Sequence, residues 1–120
     1  MPMYSEKLQF KTYWKDSITC SVKVEGNVVF FENYVKEWWK LPFGISTSAT
    51  IDDVEEFFED RCFPRERVNC KDILRRLGLD CYEPELICRK THGMQFDDFL
   101  WIKFDNDDES LCWDDIKLRD

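Results

Sequence analysis

The spacing of hydrophobic residues changes from period two to period three or four near residue 50. Apolar side chains occupy alternate positions across residues 18–24, and polar side chains lie between them. This alternation predicts a half-buried strand. The Gly26-Asn27 pair then predicts a tight turn, with residues 28–31 returning as a second strand and residues 8–14 available as a third. The N-terminal part is therefore predicted to form an antiparallel hairpin or meander.

Helical spacing begins after Thr50, whose hydroxyl is a favoured N-cap ahead of two acidic residues. Pro64 blocks continuation of this first helix. A second helix is predicted over residues 69–77. A third begins at Pro84, a favoured first helical position, and ends near Gly93. The central part therefore holds two to three helices.

The C-terminal part returns to strand-like composition. Residues 99–104 predict a strand, 105–110 a polar turn and 111–113 a returning strand, so we expect a C-terminal β-hairpin. Residues 33–42 predict a short helix or an irregular link that ends at Pro42. Strands, then helices, then a hairpin indicate an α+β fold, and 120 residues without a linker-like segment predict one domain spanning 1–120.

Composition narrows the classes of partner. The chain carries a net charge of −8, which argues against a domain that grips nucleic-acid phosphates. It has no apolar run long enough for a membrane span and no signal-like N-terminus, so the sequence predicts a cytoplasmic protein. In that reducing setting the cysteines are expected to be small buried hydrophobic residues.

The acidic residues are concentrated in two segments. Residues 51–60 hold six acids and no base, and residues 97–120 hold nine acids and three bases. The carboxylates expected to contact a partner with a basic surface are Asp52, Asp53, Glu55, Glu56, Glu59, Asp97, Asp98, Asp105, Asp107, Asp108, Glu109, Asp114 and Asp115. The alternative is internal neutralisation by the basic residues 61–76. Residues 105–109 are expected to be solvated turn residues that folding does not require.

Catalytic patterns are weak in this chain. A metal site would need carboxylates converging from several elements, and zinc would need closely spaced cysteine pairs, neither of which the sequence presents. Cys88 and His92 would share a helical face only if the third helix extends that far, which leaves a small hydrolase as a remote hypothesis. Phosphate-binding glycine loops are absent. The sequence therefore predicts no catalytic residue, no metal and no cofactor.

Several pieces, taken in order, resemble the N-terminal subdomain of the HipA-like kinase family of bacteria. They are the Leu-Pro-Phe-Gly step at residues 41–44, an Arg-rich step at 61–67, "ILRRLGL" at 73–79, "DFLWI" at 98–102 and "WDD" at 113–115. The resemblance covers residues 41–115, and the catalytic motifs of the kinase are not among these residues. It implies a small regulatory piece, antitoxin-like, that neutralises a kinase by binding it.

The sequence thus leaves two main hypotheses. The first is a non-catalytic protein-binding module that inhibits or regulates a partner, for which the resemblance suggests a HipA-like kinase. The second is a phage or mobile-element anti-defence inhibitor of the anti-CRISPR type, whose acidic patches block a basic nucleic-acid-binding surface. Neither involves a membrane or direct contact with nucleic acid.

Overall fold

The computed structural model describes residues 7–95 and 98–116, and these residues form an α+β fold, as predicted. The strands are β1 (Lys7–Trp14), β2 (Ser17–Glu25), β3 (Val28–Asn33) and β4 (Leu100–Phe104). The helices are α1 (Ile51–Asp60), α2 (Cys70–Arg76), α3 (Pro84–Thr91) and α4 (Trp113–Ile116), with a 3₁₀ turn at Trp38–Lys40. The three predicted helices are confirmed to within a few residues at each end.

The strands form one antiparallel sheet in the order β3-β2-β1-β4. β1, β2 and β3 make the predicted N-terminal meander. Gly26 sits in the β2–β3 turn with φ of 58°, a left-handed conformation that glycine adopts without strain. β4, from the far end of the chain, completes the sheet by pairing with β1.

One face of the sheet is covered by helices. Alternate side chains of the strands, among them Phe10, Val22 and Ile102, join the hydrophobic core with Phe57 and Phe58 of α1. Phe10 packs against Phe58 with ring centroids 5.1 Å apart. Because α1 is amphipathic, its apolar side packs on the sheet while its acidic side faces outward. The opposite face of the sheet, called the open face below, carries the intervening side chains.

The start of α1 follows the predicted cap. The Thr50 hydroxyl accepts a hydrogen bond from the Asp53 backbone N–H at 3.2 Å, and the Asp53 carboxylate accepts one from the Thr50 backbone N–H at 2.8 Å. This reciprocal capping box satisfies two N–H groups that the first turn of a helix leaves unpaired. The Asp53 side chain is therefore already committed to the fold.

The predicted C-terminal hairpin is wrong in its second strand. Residues 111–112 are not in a strand, and the short helix α4 begins at Trp113. The Asp115 carboxylate accepts a hydrogen bond from the Cys112 backbone N–H at 3.1 Å, a local capping contact that favours a helical turn. The Trp113 N–H donates to Asp16 at 3.0 Å, which fixes this turn near the β1–β2 connection.

Among residues 7–95 and 98–116, no helix has the length and apolar character needed to span a membrane.

Candidate functional site

The acidic residues of α1 are the most exposed group of predicted contact residues. Asp52, Asp53, Glu56 and Glu59 are exposed, and Glu55 is half-buried. Apart from the capping contact of Asp53, none of them forms an ion pair with a described residue. The outer side of α1 therefore presents carboxylates that the rest of the described chain does not neutralise.

Two acids at the end of α1, of which only Glu59 is a predicted contact residue, lie where the helix itself disfavours them. Glu59 and Asp60 occupy the last turn, which contains no base, although the partial negative charge at a helix C-terminus favours cations. Glu55–Glu59 and Glu56–Asp60 are also like-charged pairs at i, i+4 spacing, which are mildly repulsive. These carboxylates are thus unfavourable for α1 in isolation.

Asp98, in contrast, holds the fold together. Its carboxylate accepts two hydrogen bonds from the Arg61 guanidinium, both at 2.8 Å, and a further one from the Leu100 N–H at 3.2 Å. The same guanidinium donates to the carbonyls of Gly93 at 2.8 Å and Leu100 at 2.9 Å. Arg61 is only 8% exposed. A partner could reach the Asp98 carboxylate only by competing with this bidentate pair.

The prediction of a solvated turn is wrong for Asp107, which is half-buried and has a structural role. Its carboxylate accepts a hydrogen bond from the Phe104 N–H at 2.8 Å and lies 3.5 Å from Nδ1 of His92. His92 adds a backbone contact, because its carbonyl accepts the Ile102 N–H at 2.8 Å. The turn after β4 is therefore tied both to the strand and to the end of α3.

The other acids of this turn are solvated, as predicted. Asp105, Asp108 and Glu109 are exposed. Asp108 accepts hydrogen bonds from the backbone N–H and the hydroxyl of Ser110, both at 2.8 Å, and these bonds lower the pKa of its carboxyl below the usual 3.8. Asp105 is 4.0 Å from the Arg89 guanidinium, a distance at the limit of an ion pair.

The remaining predicted contact residues are divided. Asp114 and Asp115 are exposed at the start of α4, where Asp115 caps Cys112. Asp97 lies outside the described residues. The structure therefore does not gather the predicted carboxylates into one site: it leaves those of α1 on an outer surface and uses Asp98, Asp107 and Asp115 in local or long-range contacts.

Internal neutralisation by the basic segment is limited to few contacts. The described ion pairs that reach the C-terminal acids come from Arg61 and Arg89, and the His92 ring lies 3.5 Å from the Asp107 carboxylate. None comes from α2, whose Arg75 pairs with Asp72 of the same helix at 3.7 Å. Within the described part of the chain, the basic α2 and the acidic α1 thus remain separately charged surfaces.

The Cys88–His92 pair does not have the geometry of a nucleophile and its base. α3 ends at Thr91, and His92 adopts a left-handed conformation with φ of 57°, so it leaves the helical face. Cys88 is buried, and its thiol lies 3.9 Å from the Cys62 sulfur. That neighbouring thiol, together with burial, raises the pKa of Cys88 well above its usual value. A protonated, buried thiol is a poor nucleophile.

Metal ligands do not converge in the described part of the chain. Residues 7–95 and 98–116 contain no group of three or more His, Cys, Asp or Glu side chains placed to hold an ion. Cys62 and Cys88 are neighbours, although their sequence spacing gave no sign of it, because the ends of α1 and the middle of α3 pack together.

Sequence reasoning missed the apolar side chains around the open face and beyond β3. Val28, Phe30 and Tyr34 are 53%, 54% and 47% exposed, and Trp38 and Trp39 are 62% and 51% exposed. The available signal was a strand with bulky residues at consecutive positions, 28–31, which cannot all face one core. Exposed apolar groups of this size mark interaction surfaces when they lie together.

The open face also forms a shallow groove of about 850 Å³. Its floor includes Lys11 and Tyr13 of β1, Lys23 of β2, Phe30 of β3 and Lys103 of β4. Lys23 is paired with Glu25 at 2.7 Å, and the Lys103 ammonium lies 5.2 Å from the Tyr13 ring centroid. The groove is therefore a mixed aromatic and charged surface, with its lysines largely engaged by neighbouring groups.

Comparisons with protein-family models, with curated proteins and with solved structures return no significant match for this chain.

Proposed function

We propose that this chain is a small, acidic, non-catalytic protein-binding module of the cytoplasm, which inhibits or regulates a partner through the outer side of α1. The partner presents a basic surface. A HipA-like kinase is the narrower candidate, supported by the resemblance of residues 41–115. Neither a cofactor nor a metal takes part.

The observation that carries the proposal is the unneutralised acidic side of α1. Asp52, Glu55, Glu56 and Glu59 form no ion pair with any described residue. At an ionic strength of about 0.1 M, exposed carboxylates attract a basic surface over roughly 10 Å and accelerate association. The acids near the helix C-terminus add weight, because their charge opposes the helix dipole and is unfavourable for α1 itself.

The test uses a charge reversal on α1. The double variant Glu56→Lys/Glu59→Lys is compared with Glu66→Lys/Asp80→Lys, which changes the net charge equally at exposed acids outside α1. Calorimetric titration into a purified HipA-like kinase from the same genome should show at least about tenfold weaker binding for the α1 variant only. Equal effects of both variants would assign binding to net charge, and no binding by the unaltered protein would reject the kinase as partner.

The same surface supports the anti-defence inhibitor as a second candidate, because α1 could occupy a groove that otherwise holds nucleic-acid phosphates. The two candidates differ in competition. An anti-defence inhibitor should be displaced from its partner by nucleic acid, because both would occupy the same basic surface. An antitoxin-like module should inhibit kinase autophosphorylation whether or not nucleic acid is present.

A further inference from the structure

The two edge strands of the sheet, β4 and β3, differ in whether their outward-facing backbone groups are paired. The bonds from the Lys15 N–H to the Phe99 carbonyl and from the Asp105 N–H to the Gln9 carbonyl show that the odd-numbered residues of β4 pair with β1. In an antiparallel ladder the intervening residues then direct their N–H and C=O groups away from the neighbour. The even-numbered residues 100, 102 and 104 therefore form the outer edge of β4.

Every backbone polar group on that outer edge of β4 lies against a polar group of the same chain. Leu100 donates its N–H to Asp98 and accepts at its carbonyl from Arg61. The Ile102 N–H donates to the His92 carbonyl, and the Ile102 carbonyl lies 3.2 Å from the His92 Nδ1. The Phe104 N–H donates to the Asp107 carboxylate, and the Phe104 carbonyl accepts a hydrogen bond from the Asp107 N–H. This edge is unable to accept another strand.

The outer edge of β3 is open. The Tyr34 N–H donates to the Thr19 carbonyl, and this register directs the even-numbered residues of β3 toward β2. The backbone groups of Val29, Phe31 and Asn33 therefore point outward, and none of them bonds to any residue in 7–95 or 98–116. An open edge of this length is a template for another strand.

We propose that the outer edge of β3 binds the β3 edge of a second copy of this chain, so that the protein forms a two-fold dimer with a continuous sheet. Antiparallel pairing centred on Phe31 uses all three outward-facing residues, because Phe31 meets its own copy and Val29 meets Asn33. The proposal is independent of partner binding by α1.

This register is favoured by the side chains on the open face. It places Val28 beside Tyr34 of the second copy and Phe30 beside Glu32 of the second copy. Val28 and Tyr34 are both exposed in the single chain, and an aromatic side chain opposite a β-branched one is a favourable cross-strand pair. Sliding the pairing by two residues toward the C-terminus would instead bring Glu32 against its own copy, a repulsive contact. The centred register therefore keeps Glu32, the charged residue of β3, from facing its own copy.

Two substitutions of Phe30 should affect the stability of the single chain and the stability of the dimer in opposite directions. Within one chain Phe30 lies opposite Lys23, whereas across the proposed interface it lies opposite Glu32. Phe30→Glu should thus favour the single chain and oppose the dimer. Phe30→Lys should oppose the ladder within the chain and preserve the dimer by pairing with Glu32 of the second copy.

Sedimentation equilibrium over a concentration series measures the dimer directly. The unaltered chain should show an average mass that rises from 14.6 kDa toward twice that value. Phe30→Glu should raise the dissociation constant by about tenfold or more, since the two-fold axis applies each change twice, and Phe30→Lys should not. Hydrogen exchange at the amides of Val29, Phe31 and Asn33 should slow as concentration rises.

Three results would overturn the proposal. The first is a chain that stays monomeric at every accessible concentration, which would leave the edge to a strand from another protein. The second is a dimer that Phe30→Glu and Phe30→Lys weaken equally. The third is a dimer in which the three outward amides exchange as fast as in the monomer.

Discussion

Arg61 is a nearly buried side chain whose guanidinium joins separate parts of the described fold. We consider Arg61→Met, which keeps much of the apolar stem and removes the guanidinium. Four hydrogen bonds are lost together: two to Asp98 at 2.8 Å, one to Gly93 at 2.8 Å and one to Leu100 at 2.9 Å. These bonds join the end of α1 to the loop before β4 and to β4 itself.

The magnitude follows from burial. Breaking a buried ion pair by removing one partner costs about 3–5 kcal/mol, because the remaining charge is left uncompensated. The Arg61 side chain is 7% exposed but that of Asp98 is 25% exposed, so water can partly solvate the abandoned carboxylate. We therefore expect a loss near the lower end, about 3 kcal/mol, out of the 5–15 kcal/mol typical of a domain.

Urea unfolding provides the assay. With a slope of about 1–3 kcal/mol per molar, the midpoint for Arg61→Met should fall by roughly 1–3 M. Arg61→Lys should lie between this variant and the unaltered protein, because an ammonium keeps the charge and cannot form the bidentate pair. The reasoning is refuted if Arg61→Met loses less than about 1 kcal/mol.

A double-mutant cycle separates the ion pair from the packing of Arg61. In an Asp98→Asn background no buried charge is left behind, so Arg61→Met should cost at least about 1 kcal/mol less than it does alone. An identical cost in both backgrounds would mean that the two carbonyl contacts and the packed stem, not the charge pair, stabilise this region.

Three further predictions concern Gly93, Asp107 and Cys88. Gly93→Ala should lower stability by about 2–4 kcal/mol in urea unfolding, because its φ is +65° and an added Cβ would lie 2.9 Å from an isoleucine side chain. Gly78→Ala, also at positive φ but with open space, should lose only about 1–2 kcal/mol. Asp107→Ser should lower the melting temperature by several degrees, through the lost contact to a β4 amide, whereas Asp108→Ser should leave it nearly unchanged. Cys88 should resist a thiol-reactive probe in the native protein at neutral pH and react in denaturant, since its raised pKa and burial suppress the thiolate, and rapid native labelling would contradict this.

The parts of this fold that could be predicted from the sequence are local. The alternation in β2 from Cys20 to Glu25, the Gly26-Asn27 turn and the Thr50 cap each depend on residues within a few positions of one another, and each is present as expected. The predicted alternation is wrong at the start of β2, where the pairing with β1 is irregular, Thr19 is buried and Ile18 is only partly buried. The prediction of a second strand in the C-terminal hairpin was wrong because the local pattern there is ambiguous. A three-residue apolar stretch is compatible with strand or helix, and the helix was favoured by Asp115, whose capping contact a composition argument does not weigh.

The acidic surface was harder to predict because carboxylates look alike in a sequence. Asp98 pairs with an arginine 37 positions earlier, and only the three-dimensional fold brings the two together. Asp is common in turns, which predicts a solvated Asp107, whereas its carboxylate accepts the Phe104 N–H at the edge of β4. The open β3 edge went unnoticed for the same reason: whether a strand is central or terminal in a sheet depends on long-range order.

The acids of α1 can be separated from the structural ones by their effect on stability. Glu59 lies in the last turn of α1, four residues after Glu55, so its charge opposes both the helix dipole and a neighbouring carboxylate. Glu59→Lys should therefore stabilise the isolated protein by about 0.3–1 kcal/mol in urea unfolding. If α1 is the partner-binding surface, the same change should weaken partner binding, so that stability and affinity move in opposite directions. A substitution at a structural carboxylate such as Asp98 should instead lower stability and partner affinity together. A Glu59→Lys variant that is more stable and binds its partner unchanged would remove α1 from the binding surface and leave its acidic side as solvated exterior.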